Sequence, residues 1–295
     1  MNYRKWFRRA LPLLAALTVA AAGCSPAGGV SQPGASAAPA ASEAASQPEA
    51  PPAEGAASQA AEASSAAAGG EEEPLTVTVT IPEGFTFLQI AQRLEASGVC
   101  SAQEFYETAQ SYAPSSFTVP ENPDRAYKME GYLFPDTYEF YKDADPQQVL
   151  VRMLNNYREK AEGLTDEQLV IASIIERESR TEEAAALVSS VIYNRLEAGM
   201  PLQMDATREY VNQAISDSPL LSSSEGYAER YNTYKCPALP AGPICCPGLR
   251  AMEAARNPAE SDYLYFFFGS DNQNHYSVTL EEHQAQMEQY GVQYG

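Results

Sequence analysis

The 295-residue chain is short of positive charge and of long apolar runs. It holds 19 Lys and Arg against 39 Asp and Glu, which gives a net charge of −20. Binding to duplex nucleic acid needs a basic surface that releases counterions from the phosphates, so we expect no nucleic acid partner. No run of about 20 apolar residues follows the N-terminal segment. This excludes a protein with several transmembrane helices.

Metal-ligating residues are also scarce. The histidines are His275 and His283, and the five cysteines do not form the paired Cys-x-x-Cys arms of a zinc site. We therefore expect no metal and no cofactor. The four cysteines beyond the N-terminal segment are an even number, which in an exported protein allows a disulfide such as one from Cys236 to the pair Cys245 and Cys246.

The first 24 residues have the layout of an export signal. Four basic residues precede a short apolar stretch at residues 10–22, and small residues lead into Cys24. Small residues before a Cys resemble the bacterial lipobox, in which the Cys is acylated and becomes the mature N-terminus. The alternatives are an ordinary cleaved signal peptide and an uncleaved anchor. We expect an exported protein, lipid-anchored to the extracytoplasmic face of the cell membrane.

Residues 25–74 lack aromatic residues, and Val30 is the one large aliphatic residue among them. The segment is built of Ala, Ser, Pro, Gly, Gln and Glu, with seven Glu and no Lys or Arg. It buries too little apolar surface to offset the entropy of ordering its backbone, so disorder is predicted. A flexible chain of this length spans about 40 Å on average, which is suitable for a tether.

The sequence pattern of residues 75–118 predicts a small module of one strand and two short helices. Apolar residues alternate with Thr over residues 75–81, which favours a half-buried strand. Capping motifs at Thr86 and Ser101 then predict two helix starts. About 40 residues are too few for an enzyme, so we expect an appended recognition or spacer module.

Residues 130–141 are dense in aromatic side chains. Such clusters most often form core, and core is the default interpretation. The alternative is a sugar-binding groove, because a tyrosine offers a flat apolar face with a polar tip. Further on, an amphipathic helix is predicted over about residues 182–196, and a buried strand over residues 263–268.

The helix predicted over residues 165–179 carries one acidic residue on its apolar face. At about 100° per residue, Glu178 falls on the stripe that contains Ile171 and Ile175, whereas Glu176 falls outside it. A carboxyl group in apolar surroundings has a raised pKa and can hold a proton near neutrality, as a general acid requires. The alternative is a frayed last turn, in which Glu178 faces solvent and pairs with Arg180.

Several segments, in order from about residue 75 to the end, resemble the MltG-type endolytic murein transglycosylases, the YceG-like family. They are EGYLFPDTY at 130–138, ASIIERES at 172–179, Asn194-Arg195, LQMDAT at 202–207, YNTY at 231–234 and LPAGPICCPG at 239–248. The resemblance implies an α+β fold, with a truncated LysM-like module at 75–118 and a mixed α+β catalytic domain at 119–295. The chain differs from familiar members in its lipobox, which replaces a transmembrane helix, and in the shorter module.

The resemblance also implies an activity. Glu178 is the second Glu of the family's Glu-x-Glu-[Ser/Thr] element, and would cleave the MurNAc–GlcNAc bond of peptidoglycan glycan strands, first as acid and then as base. The products would carry 1,6-anhydroMurNAc ends, and no second carboxylate would be needed, unlike in most hydrolases. The expected partners are glycan strands, the membrane through a lipid anchor, and the cell-wall synthesis machinery.

Residues near the motifs are candidates for orienting the sugar: Gln203, Asp205, Thr207, Tyr231, Asn232, Thr233 and Tyr234. Their alternative role is to fix loop structure. Asp136 and Asp205 are the nearest candidates for a second catalytic carboxylate, although both suit loop hydrogen bonding. Two other functions stay open: a muramidase-like hydrolase that uses Glu178 with water, and a non-catalytic peptidoglycan-binding lipoprotein.

Overall fold

The computed structural model describes residues 75–236 and 238–292. The export signal, the tether and Cys24 lie outside the described residues. The described elements run in the order β1 (Thr76–Thr80), α1 (Phe87–Ala96), α2 (Ala102–Ser111), β2 (Thr137–Tyr141), α3 (Pro146–Lys160), α4 (Asp166–Glu178), α5 (Glu182–Ala198), α6 (Asp205–Tyr210), a π-helical segment (Val211–Ser216), α7 (Tyr227–Tyr231), α8 (Leu249–Arg256), β3 (Tyr265–Phe268), β4 (Asn274–Ser277) and α9 (Leu280–Gln289).

The strand and the two helices predicted for residues 75–118 are confirmed. The Thr86 side chain accepts from the Gln89 amide, and the Gln89 side chain accepts from the Thr86 amide, so α1 begins with a complete capping box. β1 pairs antiparallel with β2, with Val79 opposite Tyr138. Since β2 lies beyond residue 118, this sheet joins the N-terminal residues to those that follow.

The aromatic segment at residues 130–141 lies in the core, as its default interpretation predicted. Tyr132, Phe134 and Tyr138 are buried. The Tyr138 hydroxyl donates to the Phe134 carbonyl at 2.6 Å, which satisfies its polar end inside the protein. This segment therefore contributes packing, and its buried rings do not form a sugar groove.

The central element is α4, which packs against α5 and α8. Its capping box at Thr165 is confirmed, and every residue from 168 to 175 is buried. The amphipathic helix predicted next is α5, which ends at Gly199 with a left-handed φ of 68°. The C-terminal turn of α4, residues 176–178, follows the buried stretch at 168–175 and is partly exposed.

The C-terminal hairpin differs from its prediction. β3 pairs antiparallel with β4, but within β3 the side chain of Phe267 is the buried one and Phe268 is 54% exposed. The hairpin has two strands, and α5 and α9 pack against it. The prediction of a fully buried strand was wrong because a run of aromatic residues does not show how many faces of a strand are covered.

The disulfide that the number of cysteines allowed does not form. Cys236, Cys245 and Cys246 are free thiols, and the last two lie in the core. The Cys245 thiol donates to the carbonyl of Ser173, and the Cys236 thiol to the carbonyl of Asn232, each at 3.2 Å.

Among residues 75–236 and 238–292, no helix is long and apolar enough to cross a bilayer.

Candidate active site

Glu178 is the last residue of α4. The helix stops there because Ser179 adopts an extended conformation, with φ −137° and ψ 149°. The Ser179 amide and hydroxyl both donate to the carbonyl of Ile175, at 3.0 and 2.7 Å. The turn that carries Glu178 is therefore well defined and does not fray.

The Glu178 carboxyl group meets the first turn of α6. Its Oε1 accepts a hydrogen bond of 3.2 Å from the backbone N–H of Ala206. Burial raises the pKa of Glu178 to about 7, assisted by the negative charges of Asp205 and Glu209 and opposed by the Ala206 hydrogen bond and by Arg177. A carboxyl group with this pKa can both donate and accept a proton near neutrality.

Glu178 does not pair with Arg180 in the part of the chain that the structure describes, and its side chain is only partly exposed. Burial raises the pKa of Glu178 as the helical wheel predicted, but the surroundings are not purely apolar, because Arg177, Asp205 and Glu209 also act on its charge. The alternative of an ion pair with Arg180 is wrong. Its catalytic role stays a prediction.

Glu176 falls outside the predicted apolar stripe, yet its carboxyl group is largely buried as well, and burial raises its pKa against the effects of the Gly248 amide and Arg250. Its side chain is 7% exposed and forms an ion pair of 3.0 Å with Arg250, the second residue of α8. It also accepts from the Gly248 amide at 3.1 Å. Arg250 donates in addition to the carbonyl and hydroxyl oxygens of Ser179, both at 3.0 Å. Arg250 thus links the end of α4 to the start of α8 through Glu176 and Ser179. These two residues lie on either side of Glu178 in the sequence.

The loop that enters α6 is held by two buried threonines. The Thr207 hydroxyl donates to the Met204 carbonyl at 2.7 Å and lies 2.9 Å from the Thr233 hydroxyl. The Thr233 hydroxyl accepts from the Met204 amide at 2.9 Å. Both side chains are fully buried. The prediction that Thr207 and Thr233 contact sugar is therefore corrected: their hydroxyls are committed to the loop that positions Ala206.

The prediction that Tyr231 contacts sugar is corrected for the same reason. Its side chain is fully buried and its ring packs against that of Tyr210, with centroids 5.0 Å apart. Asn232 is partly exposed, and its side-chain oxygen accepts from the Tyr234 amide at 3.0 Å. Asn232 therefore shapes the turn that presents Tyr234.

Three of the predicted sugar-orienting residues are exposed: Gln203, Asp205 and Tyr234. The Tyr234 hydroxyl donates to Oδ1 of Asp205 at 2.9 Å, and Arg208 forms an ion pair of 3.2 Å with the same oxygen. The Arg208 guanidinium also lies 5.2 Å from the centre of the Tyr234 ring. Because Asp205 precedes Ala206, this exposed cluster borders Glu178.

Gln203 has a left-handed backbone, with φ 52°. Its amide donates to the Thr233 carbonyl at 3.2 Å. The carbonyl of Leu202, the residue before Gln203, accepts a hydrogen bond of 2.7 Å from the side chain of Arg195 at the end of α5. A left-handed conformation is uncommon for a residue other than glycine, and these flanking hydrogen bonds hold Gln203 in it.

The other candidate carboxylate, Asp136, has no contact with Glu178 among the described contacts. It accepts from the Thr137 amide at 2.7 Å and from the Asn156 side chain at 2.9 Å, at the start of β2. Asp205 is closer to Glu178, but Tyr234 and Arg208 hold its carboxylate. Within residues 75–236 and 238–292, no group of three or more His, Cys, Asp or Glu side chains could hold a metal ion.

Sequence reasoning missed two residues, Arg250 and Glu130. Arg250 supports Glu176 from 74 positions away. Glu130 is fully buried and bonded to Tyr210 of α6. Neither partner is near in sequence, so periodicity and capping rules give no signal for these contacts.

The fold and the site define an α+β protein built around one carboxyl group of raised pKa at the end of a buried helix. The sequence model of the YceG-like family matches residues 56–289. The chain belongs to the YceG-like family.

Similar proteins include two named endolytic murein transglycosylase. The one from Bacillus subtilis (strain 168) is 32% identical over 234 residues, which cover 72% of this chain and 64% of that protein. The one from Streptococcus pneumoniae serotype 2 is 31% identical over 243 residues, which cover 72% of this chain and 44% of that protein. The chain thus spans less than two thirds of the length of either relative.

A solved structure supports the fold. The 2.6 Å crystal structure of a YceG-like protein from Listeria monocytogenes matches with a TM-score of 0.59 and 32% sequence identity. The match covers 71% of this chain and 75% of that one.

Proposed function

We propose that this chain is an endolytic lytic transglycosylase that cleaves the MurNAc–GlcNAc bond of nascent peptidoglycan strands and leaves 1,6-anhydroMurNAc ends. The observation that carries the proposal is the environment of Glu178, a carboxyl group whose pKa is raised by burial to about 7. The names of the relatives support the substrate class.

The reaction needs one carboxyl group twice. The protonated Glu178 donates its proton to the glycosidic oxygen as the bond from that oxygen to the anomeric carbon breaks. The carboxylate then accepts the proton of the 6-hydroxyl of the same sugar while its oxygen bonds to the anomeric carbon. The ring closes, Glu178 is protonated again, and no water is consumed. The Ala206 N–H stabilises the carboxylate between the two steps.

The exposed cluster gives this site its polar surface. Asp205 and Tyr234 present carboxylate and phenol groups near Glu178, and the exposed Gln203 lies two residues before Asp205 in the same loop. These groups suit the hydroxyl and N-acetyl groups of a glycan. Asn232 supports Tyr234, and the buried Thr207, Tyr231 and Thr233 hold the loop beneath. Sugar contact is thus assigned to the exposed residues.

The decisive experiment digests purified, uncrosslinked glycan strands in water enriched in oxygen-18. Mass spectrometry of the new ends should show anhydro ends without the label. Reducing ends that carry oxygen-18 would identify a muramidase-like hydrolase, and intact strands a non-catalytic binding protein. The Glu178→Gln variant should be inactive. Its matched control is Glu167→Gln, the same change at an exposed position in the first turn of the same helix.

We further propose that Cys24 carries a lipid and that residues 25–74 tether the enzyme to the extracytoplasmic face of the membrane, near the cell-wall synthesis machinery. The support is the lipobox-like sequence and the composition of the tether. A Cys24→Ala protein should leave the membrane fraction and appear in the medium or in the salt wash. If it stays with the membrane after such washing, another anchor is present.

The truncated LysM-like module at residues 75–118 has, in our proposal, a supporting role. β1 pairs with β2, and Phe87 of α1 stacks on Tyr127 with centroids 5.2 Å apart. A module that shares its sheet and its aromatic core with the rest of the chain supports the catalytic part directly. Binding of the Glu178→Gln protein to isolated peptidoglycan should therefore depend on the site cluster, and Tyr234→Ala should weaken it.

A further inference from the structure

Glu130 is a buried carboxyl group outside the proposed proton-transfer steps. Its side chain is fully buried, and no Lys or Arg forms an ion pair with it among the described residues. Its two oxygens accept from the Phe87 amide, at 2.9 and 3.1 Å, and Oε2 also accepts from the Tyr210 hydroxyl at 3.0 Å. Burial raises the pKa of Glu130 to about 8, although the hydrogen bonds from Phe87 and Tyr210 oppose this rise, so these bonds are what holds the buried carboxyl group in place.

The partners of Glu130 join two helices. Phe87 is the first residue of α1, where free backbone N–H groups favour an acceptor. Tyr210 is the last residue of α6, whose first turn carries the Ala206 amide that contacts Glu178. Glu130 therefore connects the start of α1 to the helix that contacts the proposed catalytic carboxyl group.

α6 depends on contacts from outside itself. It has six residues, it lacks a side-chain N-cap hydrogen bond, and it continues into the π-helical segment Val211–Ser216. So short a helix has few internal hydrogen bonds to hold its position. The Thr207 and Thr233 pair holds its first half, and the bond from Tyr210 to Glu130 holds its last residue.

The backbone around Glu130 is also fixed. Gly131 follows it with φ 83°, and a Cβ at that position would lie 2.6 Å from Cβ of Pro243. No other residue type fits there without movement of the loop. Glu130 is thereby aimed inward at Phe87 and Tyr210.

We propose that Glu130 is a positioning residue for Glu178: through Tyr210 it fixes α6, and α6 in turn sets the hydrogen bond from Ala206 to the catalytic carboxyl group. This inference rests on the proposed function for its effect on turnover, but its effect on Glu178 itself does not. If the contact is lost, the Ala206 bond lengthens and the charged form of Glu178 loses a donor. The pKa of Glu178 should then rise.

Other ionisable groups face these two carboxyl groups, and all of them except Tyr210 stay unchanged in the test. Those around Glu130 are Tyr127, Tyr210, Tyr231, Cys245 and Cys246. Those around Glu178 are Arg177, Asp205, Glu209 and Tyr234.

The test uses Tyr210→Phe, which removes the hydroxyl and keeps the ring that packs on Tyr231. Its matched control is Tyr138→Phe, which removes another buried hydroxyl, one that donates to Phe134 in a different part of the core. The pKa of Glu178 is measured without substrate, by carbon-13 NMR of the labelled carboxyl group. The protein used contains the tether and all residues that follow it, 25–295. Turnover is measured separately on glycan strands.

Tyr210→Phe should raise the pKa of Glu178 by about half a unit or more and lower kcat about tenfold with little change in KM. Tyr210→Phe and Tyr138→Phe should lower the melting temperature by similar amounts, because each removes one buried hydroxyl. Tyr138→Phe should leave the pKa of Glu178 unchanged. Glu130→Gln should act like Tyr210→Phe, and if it does not fold, Tyr210→Phe decides the matter.

A folded Tyr210→Phe protein with an unchanged pKa of Glu178 would overturn the positioning role. An equal pKa shift in Tyr138→Phe would do the same, since the effect would then follow from general destabilisation. If the pKa shifts as expected in Tyr210→Phe while the wild-type protein cleaves no glycan, the positioning role stands and the proposed reaction fails.

Discussion

The backbone N–H of Ala206 donates a 3.2 Å hydrogen bond to Oε1 of Glu178. It joins the last residue of α4 to the first turn of α6. Burial favours the neutral acid, whereas this bond favours the carboxylate, and the pKa of Glu178 lies near 7 as a result. A group that must first give and then take a proton works best when neither form is strongly preferred.

The first prediction concerns stability and pH. The pKa of Glu178 is raised above that of an unfolded glutamate, to about 7, so its favourable contribution is present below about pH 4.5 and is lost as the pH rises through 7. Glu178→Gln removes this loss. At pH 8 the variant should be more stable than wild type by about 1–2 kcal/mol, or about 4 °C in melting temperature.

Thermal unfolding at pH 5 and pH 8 measures this effect, with Glu167→Gln as the control that changes little. A Glu178→Gln protein with the wild-type dependence on pH would show that burial does not raise the pKa of Glu178.

The second prediction concerns Asp205. Its negative charge raises the pKa of Glu178. Asp205→Asn should therefore lower that pKa, so that less of the acid form is present at neutral pH. The descending limb of the pH–rate profile should move to lower pH, and kcat/KM at pH 7.5 should fall severalfold. An unchanged limb, at any level of activity, would contradict the electrostatic coupling.

The third prediction concerns Arg250, which pairs with Glu176 and donates to Ser179. Arg250→Met leaves the Glu176 carboxylate largely buried without its cation and should destabilise the protein by about 3 kcal/mol, measured by denaturant unfolding. It should also lower kcat because the turn that carries Glu178 loosens.

Glu176→Gln is the comparison for Arg250→Met. It keeps an acceptor for the Gly248 amide and should retain substantial activity. If Glu176→Gln abolished cleavage in a folded protein, Glu176 would share in proton transfer, and its structural role would be insufficient.

The fourth prediction concerns the loop beneath the exposed cluster. Thr233→Val keeps the shape of the side chain but removes a hydroxyl that contacts Thr207 and the Met204 amide. The variant should lose about 1–3 kcal/mol of stability and show a lower kcat. Tyr234→Phe should instead raise KM with little effect on stability, because Tyr234 is exposed. Equal effects of both changes on KM would contradict the division between buried support and exposed contact.

The sequence predicts local features of this protein well. The capping boxes at Thr86 and Thr165 depend on residues three positions apart, and both form as predicted. The helical period places Glu178 on the apolar stripe, but it does not predict that the Glu176 side chain is buried as well, because its partners Gly248 and Arg250 are distant in the sequence.

Contacts across the chain could not be predicted in this way. Loops have no period, so the motif at residues 231–234 did not show that Tyr231 and Thr233 point inward while Tyr234 points outward. Glu130 and Tyr210 are 80 positions apart, and their hydrogen bond depends on how the loop that carries Glu130 packs against the end of α6. The free cysteines likewise reflect packing, which counting does not show.

The most direct test of the account is the chemistry of the ends that the protein makes. Glycan strands cleaved in oxygen-18 water by the wild-type protein should carry 1,6-anhydroMurNAc ends with no label, and Glu178→Gln should give no new ends while Glu167→Gln gives wild-type amounts. Labelled reducing ends from the wild-type protein, or anhydro ends from Glu178→Gln, would contradict the assignment of Glu178 as the single acid and base.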